Sequence, residues 1–560
     1  MKKIISLLLI TLVSISSFAQ EILVKIQKSE VFKDEYKESH IVLSEADGTG
    51  GFLIVRSYKG KGISPNRGFY FEHYDSNLKL LNEYDFQITH TNGHKYASTL
   101  GIVKTETVFR IIDMYYDINQ KAYICNANSI SKNNFKPESK ELFRLPREEL
   151  KLYGSFSLND ICYEKNDKKM ANKNNGYFSD TSSGIALMSD ENSFSIAIDF
   201  MNSTGSEALK LFLFDNQLTK KIDRVFIKKV ADRKYIFQNI DLSKDGNSIF
   251  LLSKSISKEA KSKTEGGKYQ YELTKFEGEK DFSKTFDIGD QFVGSLKTLS
   301  FKEKLVCIGF YSDIKDKYFG GVSYFEIDPN TLEVRFSKFS PFTEQFLTDK
   351  YGKVKDKELK SLKFKNILIT AENEIILNAE EAYTTSSGGG FSAGMGAPSM
   401  GGTNVGGFNY GGTNFGGVSV GINYGGIYEQ TYNHLDDIVS IKISAKGDLI
   451  WARNINKRQT GDGSSFASYT SVLNQTNDVL FFINAKEKIK EISNNRIQFK
   501  GIGNVNLIRI NEKGDFEYQK ILDDDENEVP FMVANGIKSG NSIFFLGRKG
   551  STKQLLKVSL

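Results

Sequence analysis

Two stretches near the C-terminus share one pattern: an apolar strand, a Lys-Gly-Asp turn and a second strand. They read ISAKGDLIWARNI (443 to 455) and INEKGDFEYQKIL (510 to 522). A second pattern, Gly-Asn-Ser-Ile-Phe, occurs at 246 to 250 and again at 540 to 544, with apolar residues on both sides. A chain that alternates two kinds of short hairpin is constrained to an all-β fold assembled from one repeated unit.

Hairpins of the first kind can be assigned eight times and hairpins of the second kind seven times between them. The first kind spans 41 to 58, 95 to 117, 184 to 201, 238 to 253, 294 to 312, 364 to 380, 468 to 485 and 533 to 547. The second kind spans 69 to 86, 121 to 144, 209 to 227, 270 to 288, 320 to 340, 436 to 455 and 504 to 522. Modules of four strands and about 40 to 50 residues are the unit of a β-propeller.

The two ends of the chain complete each other in this assignment. The strand Gln554 to Leu560 follows the eighth hairpin without a partner, and Ile22 to Gln27 is unpaired at the start. Pairing them would close a ring and remove exposed sheet edges. The sequence therefore predicts one all-β domain over residues 20–560, a β-propeller of eight four-stranded blades closed by its terminal strands.

Two alternatives remain at this point. Seven blades are possible because the module at 95 to 144 is the least regular. Two β-sandwich domains would also give alternating strands, but they would not explain why the unpaired strands are the first and the last. The chain resembles β-propellers as an architecture. No subfamily is indicated, because WD dipeptides, the kelch double-glycine pattern and the aspartate of the Asp-box turn are absent.

The N-terminus has the order of a secretory signal peptide. Lys2 and Lys3 precede the apolar run Ile4 to Val13, and Ser17-Phe18-Ala19 follows. We expect residues 1–19 to be removed and the mature chain to start at Gln20. This leader and the Lys, Asn and Ile-rich composition resemble those of exported proteins of Gram-negative Bacteroidota, which implies the periplasm, the outer membrane or the extracellular space.

Charge and cysteine content narrow the function classes. Without Lys2 and Lys3, 72 of the 74 basic residues remain against 69 acidic ones, so no global field favours nucleic acid. No later stretch approaches the roughly 20 apolar residues of a transmembrane helix. Three cysteines (Cys125, Cys162 and Cys307) permit at most one intrachain disulfide, and the sequence leaves a Cys125–Cys162 pair open.

Three insertions interrupt the regular spacing. Residues 146–181 are polar, and residues 342–361 could form a short helix with its charges facing solvent. The third, residues 386–426, carries 16 of the 48 glycines and uses the unit GGTN(V/F)GG twice. So much glycine resists folding alone because each ordered residue loses maximal backbone entropy. In β-propellers, which this chain resembles, the loops between the second and third strands of a blade and the loops between blades share one rim.

Four local patterns are candidates for a catalytic, metal-binding or ligand-binding role. Ser419 matches GxSxG but lacks the strand and helix of a nucleophile elbow. His90 and His94 are four residues apart, but Asn92-Gly93 favours a turn over a metal-binding helix. The acidic run 523 to 528 lacks the spacing of a calcium loop and is interpreted as solvated charge. Trp451, the only tryptophan, is interpreted as a packing residue.

The sequence therefore favours a non-catalytic exported propeller without cofactor or metal, which binds a protein or glycan partner through its loop-rich rim. The candidate binding residues are aromatic side chains spaced through the glycine-rich insertion, which can stack on a partner as the loop orders. They are Phe391, Phe408, Tyr410, Phe415, Tyr424 and Tyr428. The alternative is a glycan-active hydrolase or lyase, with carboxylates gathered from different blades at the channel mouth.

Overall fold

The structure is a computed structural model of the full chain. It describes residues 24–36, 38–60, 67–88, 93–146, 185–201, 207–227, 235–256, 269–286, 288–289, 291–314, 318–355, 358–387, 430–461, 466–486, 490–492 and 496–560. The predicted signal peptide, Cys162 and the six candidate aromatic residues lie outside these ranges.

The first half of the chain forms two short strands and then four antiparallel blades. The short strands are β1 (Lys25–Lys28) and β2 (Phe32–Lys33). Blade 1 contains β3 (Glu38–Ala46), β4 (Phe52–Lys59), β5 (Arg67–Tyr74) and β6 (Leu80–Ile88); blade 2 contains β7 (His94–Lys104), β8 (Val108–Asp117), β9 (Ala122–Ser131) and β10 (Pro137–Pro146). Blade 3 contains β11 (Ile185–Ser189), β12 (Ser193–Met201), β13 (Glu207–Asp215) and β14 (Lys220–Ile227); blade 4 contains β15 (Tyr235–Leu242), β16 (Ser248–Ile256), β17 (Tyr269–Glu277) and β18 (Lys280–Phe286).

The second half adds four more blades and one helix. Blade 5 contains β19 (Phe292–Phe301), β20 (Lys304–Ser312), β22 (Gly321–Ile327) and β23 (Val334–Pro341), with β21 (Tyr318–Phe319) beside it. Helix α1 (Glu344–Tyr351) and β24 (Leu359–Lys360) lead to blade 6, which contains β25 (Leu362–Ile369), β26 (Ile375–Ser387), β27 (Gln430–Ile443) and β28 (Leu449–Ile455). After β29 (Lys457–Gly461), blade 7 contains β30 (Tyr469–Leu473), β31 (Val479–Ala485), β34 (Asn504–Ile510) and β35 (Phe516–Leu522), with β32 (Lys490–Ile492) and β33 (Arg496–Lys500) between its second and third strands. Blade 8 contains β36 (Ile537–Ser539), β37 (Ser542–Lys549) and β38 (Thr552–Ser559).

Eight blades are confirmed, and the seven-blade alternative is wrong. The module at 95 to 144 forms a complete sheet in the order β10-β9-β8-β7. Its irregular sequence corresponds to two register shifts in β7, between Lys95 and Ser98 and between Thr99 and Gly101. These shifts are β-bulges, which bend a strand without ending its pairing.

The N-terminal strand closes the ring as predicted. β1 pairs antiparallel with β38, from Lys25 opposite Ser559 to Lys28 opposite Leu556, and so becomes the outer strand of blade 8. The Leu555 amide donates to Ser29 Oγ (2.9 Å) and the Gln554 side chain to the Ser29 carbonyl (2.8 Å).

A buried ion cluster then ties this N-terminal segment to blade 1. Arg56 Nη1 donates to Asp34 Oδ2 at 2.7 Å, and Arg56 Nε donates to Glu72 Oε2 at 2.9 Å. Only 3% of the Arg56 side chain is exposed. Since such charges are costly to bury unless paired, the cluster specifies where the segment before β3 must lie.

The core is divided into packets between neighbouring blades. Among the described residues, each of the eight junctions has its own cluster of buried apolar side chains, from the one between blades 1 and 2 to the one between blades 8 and 1. Inner strands are accordingly buried on both faces, as in β31, where every residue is buried. The outer strand β6 is mostly exposed at its start.

The strand directions define two rims. Turns between the first and second and between the third and fourth strands of each blade lie on one face, here called the lower rim. Connections between the second and third strands and between blades lie on the opposite face, the upper rim. The described strands on either side of residues 147–184 and of residues 388–429 end at the upper rim, as does α1. Within the described ranges, no helix has both the length and the hydropathy needed to cross a bilayer.

The Lys-Gly-Asp turns of the repeated hairpins lie on the lower rim. Gly447 and Gly514 have φ of 79° and 88°, the left-handed region that favours glycine. A Cβ at Gly447 would lie 2.6 Å from the ring of Tyr324 in blade 5, and one at Gly514 would lie 3.0 Å from Trp451 in blade 6. Trp451 also donates from Nε1 to the Glu512 carbonyl (3.1 Å). The repeated glycine therefore serves both the turn and the approach of the preceding blade, and Trp451 packs as predicted.

We expect Gly447→Ala to destabilise the protein more than Gly278→Ala. Gly278 also has a positive φ, 54°, but nothing lies within 4 Å of its Cβ position, so alanine there should cost only backbone strain, about 1 kcal/mol. At Gly447 the clash with Tyr324 should add about 1–3 kcal/mol. Urea denaturation followed by circular dichroism measures both variants, and equal losses would contradict the inter-blade role of the turn.

We also expect Arg56→Met to weaken ring closure. Asp34 and Glu72 would remain buried without their partner, a situation that costs about 3–5 kcal/mol. The control is Arg335→Met, which breaks the half-exposed pair with Asp328 and should shift the urea midpoint little. A midpoint for Arg56→Met equal to that of the control would show that the ion cluster does not hold the N-terminal segment.

Candidate functional site

The most elaborate part of the upper rim is built on blade 6. β26 and β27 continue to pair beyond the blade as far as Ser387 opposite Gln430. β27 then changes partner: its lower part pairs with β28, whereas Asn433 to Leu435 pair with β29. β29 pairs in turn with β33, and β33 with β32. We call the upper part of β26 and β27 together with β29, β33 and β32 the upper sheet.

Three carboxylates meet where the upper sheet diverges from the blade. The register shift in β26 lies at Glu381, between Glu380 and Ala382, and Asp436 and Asp437 lie between the two segments of β27 that pair with β29 and β28. A bulge leaves backbone groups without ladder partners. Asp437 satisfies one of them, since its Oδ1 accepts a hydrogen bond from the Lys457 amide (3.0 Å).

Lys350 of α1 neutralises this acidic junction. Its Nζ lies 2.8 Å from Glu381 Oε2 and 2.8 Å from Asp437 Oδ2, and only 9% of its side chain is exposed. Burial alone lowers the pKa of Lys350, but attraction to Asp437 and Glu381 outweighs it and raises the pKa above its usual value. Burial raises the pKa of Glu381, and Lys350 opposes that shift. The ammonium therefore acts as the cation of the junction.

Helix α1 is held in place so that Lys350 reaches the junction. Thr343 caps its N-terminus, and Gly352 ends it in the left-handed conformation. Asp349 accepts from Arg453 Nε at 2.6 Å, and Arg496 of β33 donates to the Lys350 carbonyl at 2.6 Å. The sequence prediction of a short helix is correct, but the expectation that its charges face solvent is wrong for Asp349 and Lys350, because the acidic junction and Arg453 lie beneath them.

A second buried ion pair joins β29 of the upper sheet to β26, and hydrogen bonds around it reach blade 7. Lys457 Nζ lies 2.8 Å from Glu380 Oε1, and the Lys457 side chain is fully buried. The other oxygen of Glu380 accepts from Ser468 Oγ (2.7 Å), just before β30. Gln459 donates to the Asn484 carbonyl at 2.7 Å. Two consecutive glutamates on β26 thus serve opposite faces, Glu380 towards blade 7 and Glu381 towards α1.

The upper sheet exposes one aromatic pair. The rings of Tyr383 and His434, which are opposite each other in the ladder, stack with centroids 4.6 Å apart. Tyr383 is 41% exposed and donates from its hydroxyl to Asp436 Oδ2 at 2.9 Å. Burial and this hydrogen bond raise the pKa of Tyr383, so the hydroxyl is protonated at neutral pH. The pair offers a flat ring and polar edges for stacking and hydrogen bonding.

A narrow cleft at the lower end of the channel gathers carboxylates, but these are used structurally. It is lined by residues of blades 3, 4 and 5, including Asp190 and Asp241. Burial raises the pKa of Asp241 to about 7, and its carboxylate accepts from the Leu242 and Ser300 amides (2.9 and 2.5 Å). Asp190 accepts from the amide of Ser193 (2.8 Å) in its own turn. Both carboxylates therefore stabilise backbone.

The sequence-predicted sites fall into two groups. The six aromatic residues of the insertion, Ser419 and His90 lie outside the described residues. His94 stacks on Tyr115 at 4.0 Å and lies 3.8 Å from Asp117. In the acidic run, Asp523 caps a 3₁₀ turn by accepting from the Asp525 amide. Across the described ranges, His, Cys, Asp and Glu side chains form no group of three or more that could hold a metal ion.

The acidic junction was missed by motif reading, although the sequence carries a signal for it. Glu380-Glu381 and Asp436-Asp437 are acidic pairs inside predicted strand sequences, each next to an apolar run. Because neighbouring side chains of a strand point to opposite faces, such a pair must place a carboxylate on each face, and at least one needs a buried cation. The identity of that cation, on a helix some 30 to 90 residues earlier, required the tertiary structure.

We expect Lys350→Met to destabilise the protein in a pH-dependent way. At pH 8 the variant would leave the buried Glu381 and Asp437 carboxylates without their cationic partner, at a cost of about 3–5 kcal/mol. Lys350 holds the pKa of Glu381 down against the effect of burial, so removing Lys350 raises that pKa further. Protonation at low pH then relieves the buried charge, and the loss relative to wild type should shrink towards pH 4.

Urea denaturation at pH 8 and pH 4 tests this, with Lys353→Met as the control because Lys353 is exposed one turn further along the chain. A loss of the same size at both pH values would contradict the charge-neutralising role of Lys350.

The comparisons with known proteins add no assignment. No protein-family model matches the chain, and no curated protein matches it. Among solved structures, a prolyl oligopeptidase B from Galerina marginata superposes with a TM-score of 0.37 at 9% identity, covering 92% of this chain and 56% of that one. A Mycobacterium tuberculosis puromycin-hydrolyzing peptidase gives 0.33 at 8% identity, with coverages of 80% and 50%. An oligogalacturonate lyase in complex with manganese gives 0.32 at 7% identity, with coverages of 91% and 96%. This chain spans about half the length of the two peptidases.

Proposed function

We propose that this protein is an exported β-propeller that captures a protein or glycan partner through the upper rim of blade 6. The observation that carries the proposal is the bracing of the upper sheet. The buried ion pair of Lys350 fixes it to α1, and hydrogen bonds of Glu380 and Gln459 fix it to blade 7. Blade 6 has its four strands without this extension. The ion pairs and hydrogen bonds therefore serve to hold the insertion between β26 and β27.

What the upper sheet carries is the glycine-rich insertion with its spaced aromatic residues. β26 and β27 lead into residues 388–429, where Phe391, Phe408, Tyr410, Phe415, Tyr424 and Tyr428 are separated by glycine and asparagine. A segment of this composition binds by ordering on its partner and loses entropy in doing so. A rigid base reduces that loss because both ends of the segment are already fixed. Tyr383 and His434 add a stacked aromatic pair on the upper sheet itself.

Replacing residues 388–429 by Asn-Gly should abolish partner capture and leave the fold intact. Ser387 and Gln430 are paired, so a two-residue type I′ turn joins them directly. Tagged wild-type and shortened proteins would be expressed in the native host, and co-purifying proteins identified by mass spectrometry. Binding to a panel of envelope and extracellular polysaccharides would be measured in parallel.

The matched control keeps the length of the insertion and changes the six aromatic residues to serine. Loss of capture in both variants would assign binding to the rings, and loss only in the shortened protein would assign it to the backbone of the segment. Equal capture by wild type and by the shortened protein would contradict the proposal. Fractionation of the same cells tests export, which requires residues 1–19 to be absent from the mature protein.

A further inference from the structure

One face of the upper sheet is turned to solvent. Along β29, Lys457 and Gln459 are buried, whereas Arg458 and Thr460 are exposed. Neighbouring side chains of a strand point to opposite faces, so Arg458 and Thr460 share one face and the buried pair shares the other. We call the face that carries Arg458 and Thr460 the outer face.

The strand register places aromatic and cationic side chains in one line across the outer face. Tyr383 of β26 is opposite His434 of β27, and His434 is opposite Thr460 of β29. Arg458, two residues from Thr460, is opposite Lys500 of β33. Neighbouring strands are about 5 Å apart, so this stripe from Tyr383 to Lys500 is roughly 15 Å long.

The first end of the stripe is aromatic. The stacked rings of Tyr383 and His434 have centroids 4.6 Å apart, and Tyr383 is 41% exposed. Asp436 Oδ2 accepts from the Tyr383 hydroxyl at 2.9 Å, which fixes the direction of the ring. The other oxygen of Asp436, Oδ1, is buried. The negative charge therefore lies beneath the surface that the ring presents to solvent.

The second end of the stripe is cationic. The Arg458 side chain is exposed and that of Lys500 is partly exposed, while the neighbouring Phe499 is fully buried on the opposite face. In the part of the chain that the structure describes, no carboxylate lies within ion-pair distance of Arg458 or Lys500. Like charges side by side in a sheet are destabilising. An anion from outside the chain would relieve that repulsion.

The order of side chains along the stripe matches the chemistry of an acidic sugar chain. The flat face of Tyr383 can pack on the C–H face of a sugar ring, and the Thr460 hydroxyl can bond to a sugar hydroxyl. The guanidinium of Arg458 presents two parallel donors to a carboxylate or a sulfate. The length of the stripe is more than one monosaccharide covers. A protein partner would favour an apolar centre, and the stripe has no aliphatic side chain.

We propose that the outer face of the upper sheet binds an acidic polysaccharide, with a sugar ring on Tyr383 and carboxylate or sulfate groups at Arg458 and Lys500. The inference rests on the proposed function, because it names the chemical class of the partner captured at the same rim. It adds to the glycine-rich insertion a second set of contacts on the strands that carry it.

The test uses the mature protein, residues 20–560, and fluorescence anisotropy with labelled polymers of matched length. Sodium alginate carries carboxylates on sugar rings, dextran sulfate carries sulfates, and dextran carries no charge. Poly-L-glutamate carries carboxylates without sugar rings. We expect saturable binding of alginate, of dextran sulfate or of both, weakening as sodium chloride is raised, and much weaker binding of dextran and of poly-L-glutamate. The tighter of the two acidic polysaccharides identifies the acidic group.

Arg458→Gln should weaken that binding by about tenfold, the loss expected for one charge-assisted contact. Tyr383→Ala should weaken it by about fivefold through loss of stacking, and Tyr383→Phe, which keeps the ring, should bind like wild type. The charge-matched control is Lys549→Gln, which changes an exposed lysine at the upper end of β37, two blades away, and should have no effect. Circular dichroism verifies that each variant is folded.

Three results would overturn the proposal. They are a wild-type protein that binds neither acidic polysaccharide, poly-L-glutamate binding as tightly as the acidic polysaccharides, and equal losses in Arg458→Gln and Lys549→Gln.

The protein with residues 388–429 replaced separates this inference from the proposed function. Loss of binding on shortening, with no effect of Arg458→Gln, would leave the proposed function standing and overturn the inference. Binding that Arg458→Gln weakens and that shortening leaves unchanged would support the stripe and contradict the role of the insertion.

Discussion

The antiparallel pairing of β1 with β38 is the constraint on which the rest of the structure depends. Every other blade is made from strands of one continuous stretch of the chain, but blade 8 is incomplete until the N-terminal segment pairs with it. The backbone hydrogen bonds of β1 do not depend on its sequence, so side chains must fix the register of β1 against β38. Ser29 and the Asp34–Arg56–Glu72 cluster provide it, since a shift by one residue would leave a buried charge without its partner.

The closed ring then determines how the lower rim is built. Each blade buries both faces against its neighbours. A turn that contacts the preceding blade therefore cannot carry a side chain that would push the two blades apart. Gly447 and Gly514 meet that need against Tyr324 and Trp451. The repeated Lys-Gly-Asp turn is thus a packing element between blades as much as a local turn signal, which explains why it recurs with an aromatic residue facing it.

The upper rim is held together by buried ion pairs instead of glycine turns. Its bracing uses buried charges, which contribute little net stability but define one geometry strongly. At blade 6 the two ion-paired lysines, Lys350 and Lys457, come from different elements and pair with consecutive glutamates of β26, and Lys350 also pairs with Asp437 of β27.

The sequence by itself determined the all-β class, the alternation of two kinds of hairpin through the chain and the closure by the terminal strands. These follow from local patterns, since turn residues and apolar alternation act over a few residues and the unpaired first and last strands imply a ring. It also determined the packing role of Trp451. Only the tertiary structure decided that Glu381 meets Lys350, that Lys457 meets Glu380 and that Asn535 meets His40, nearly the full length of the chain away. Such pairs join elements separated by 30 to 500 residues, and no local periodicity encodes which distant cation will neutralise a given carboxylate; the ring has to close before those side chains share one environment.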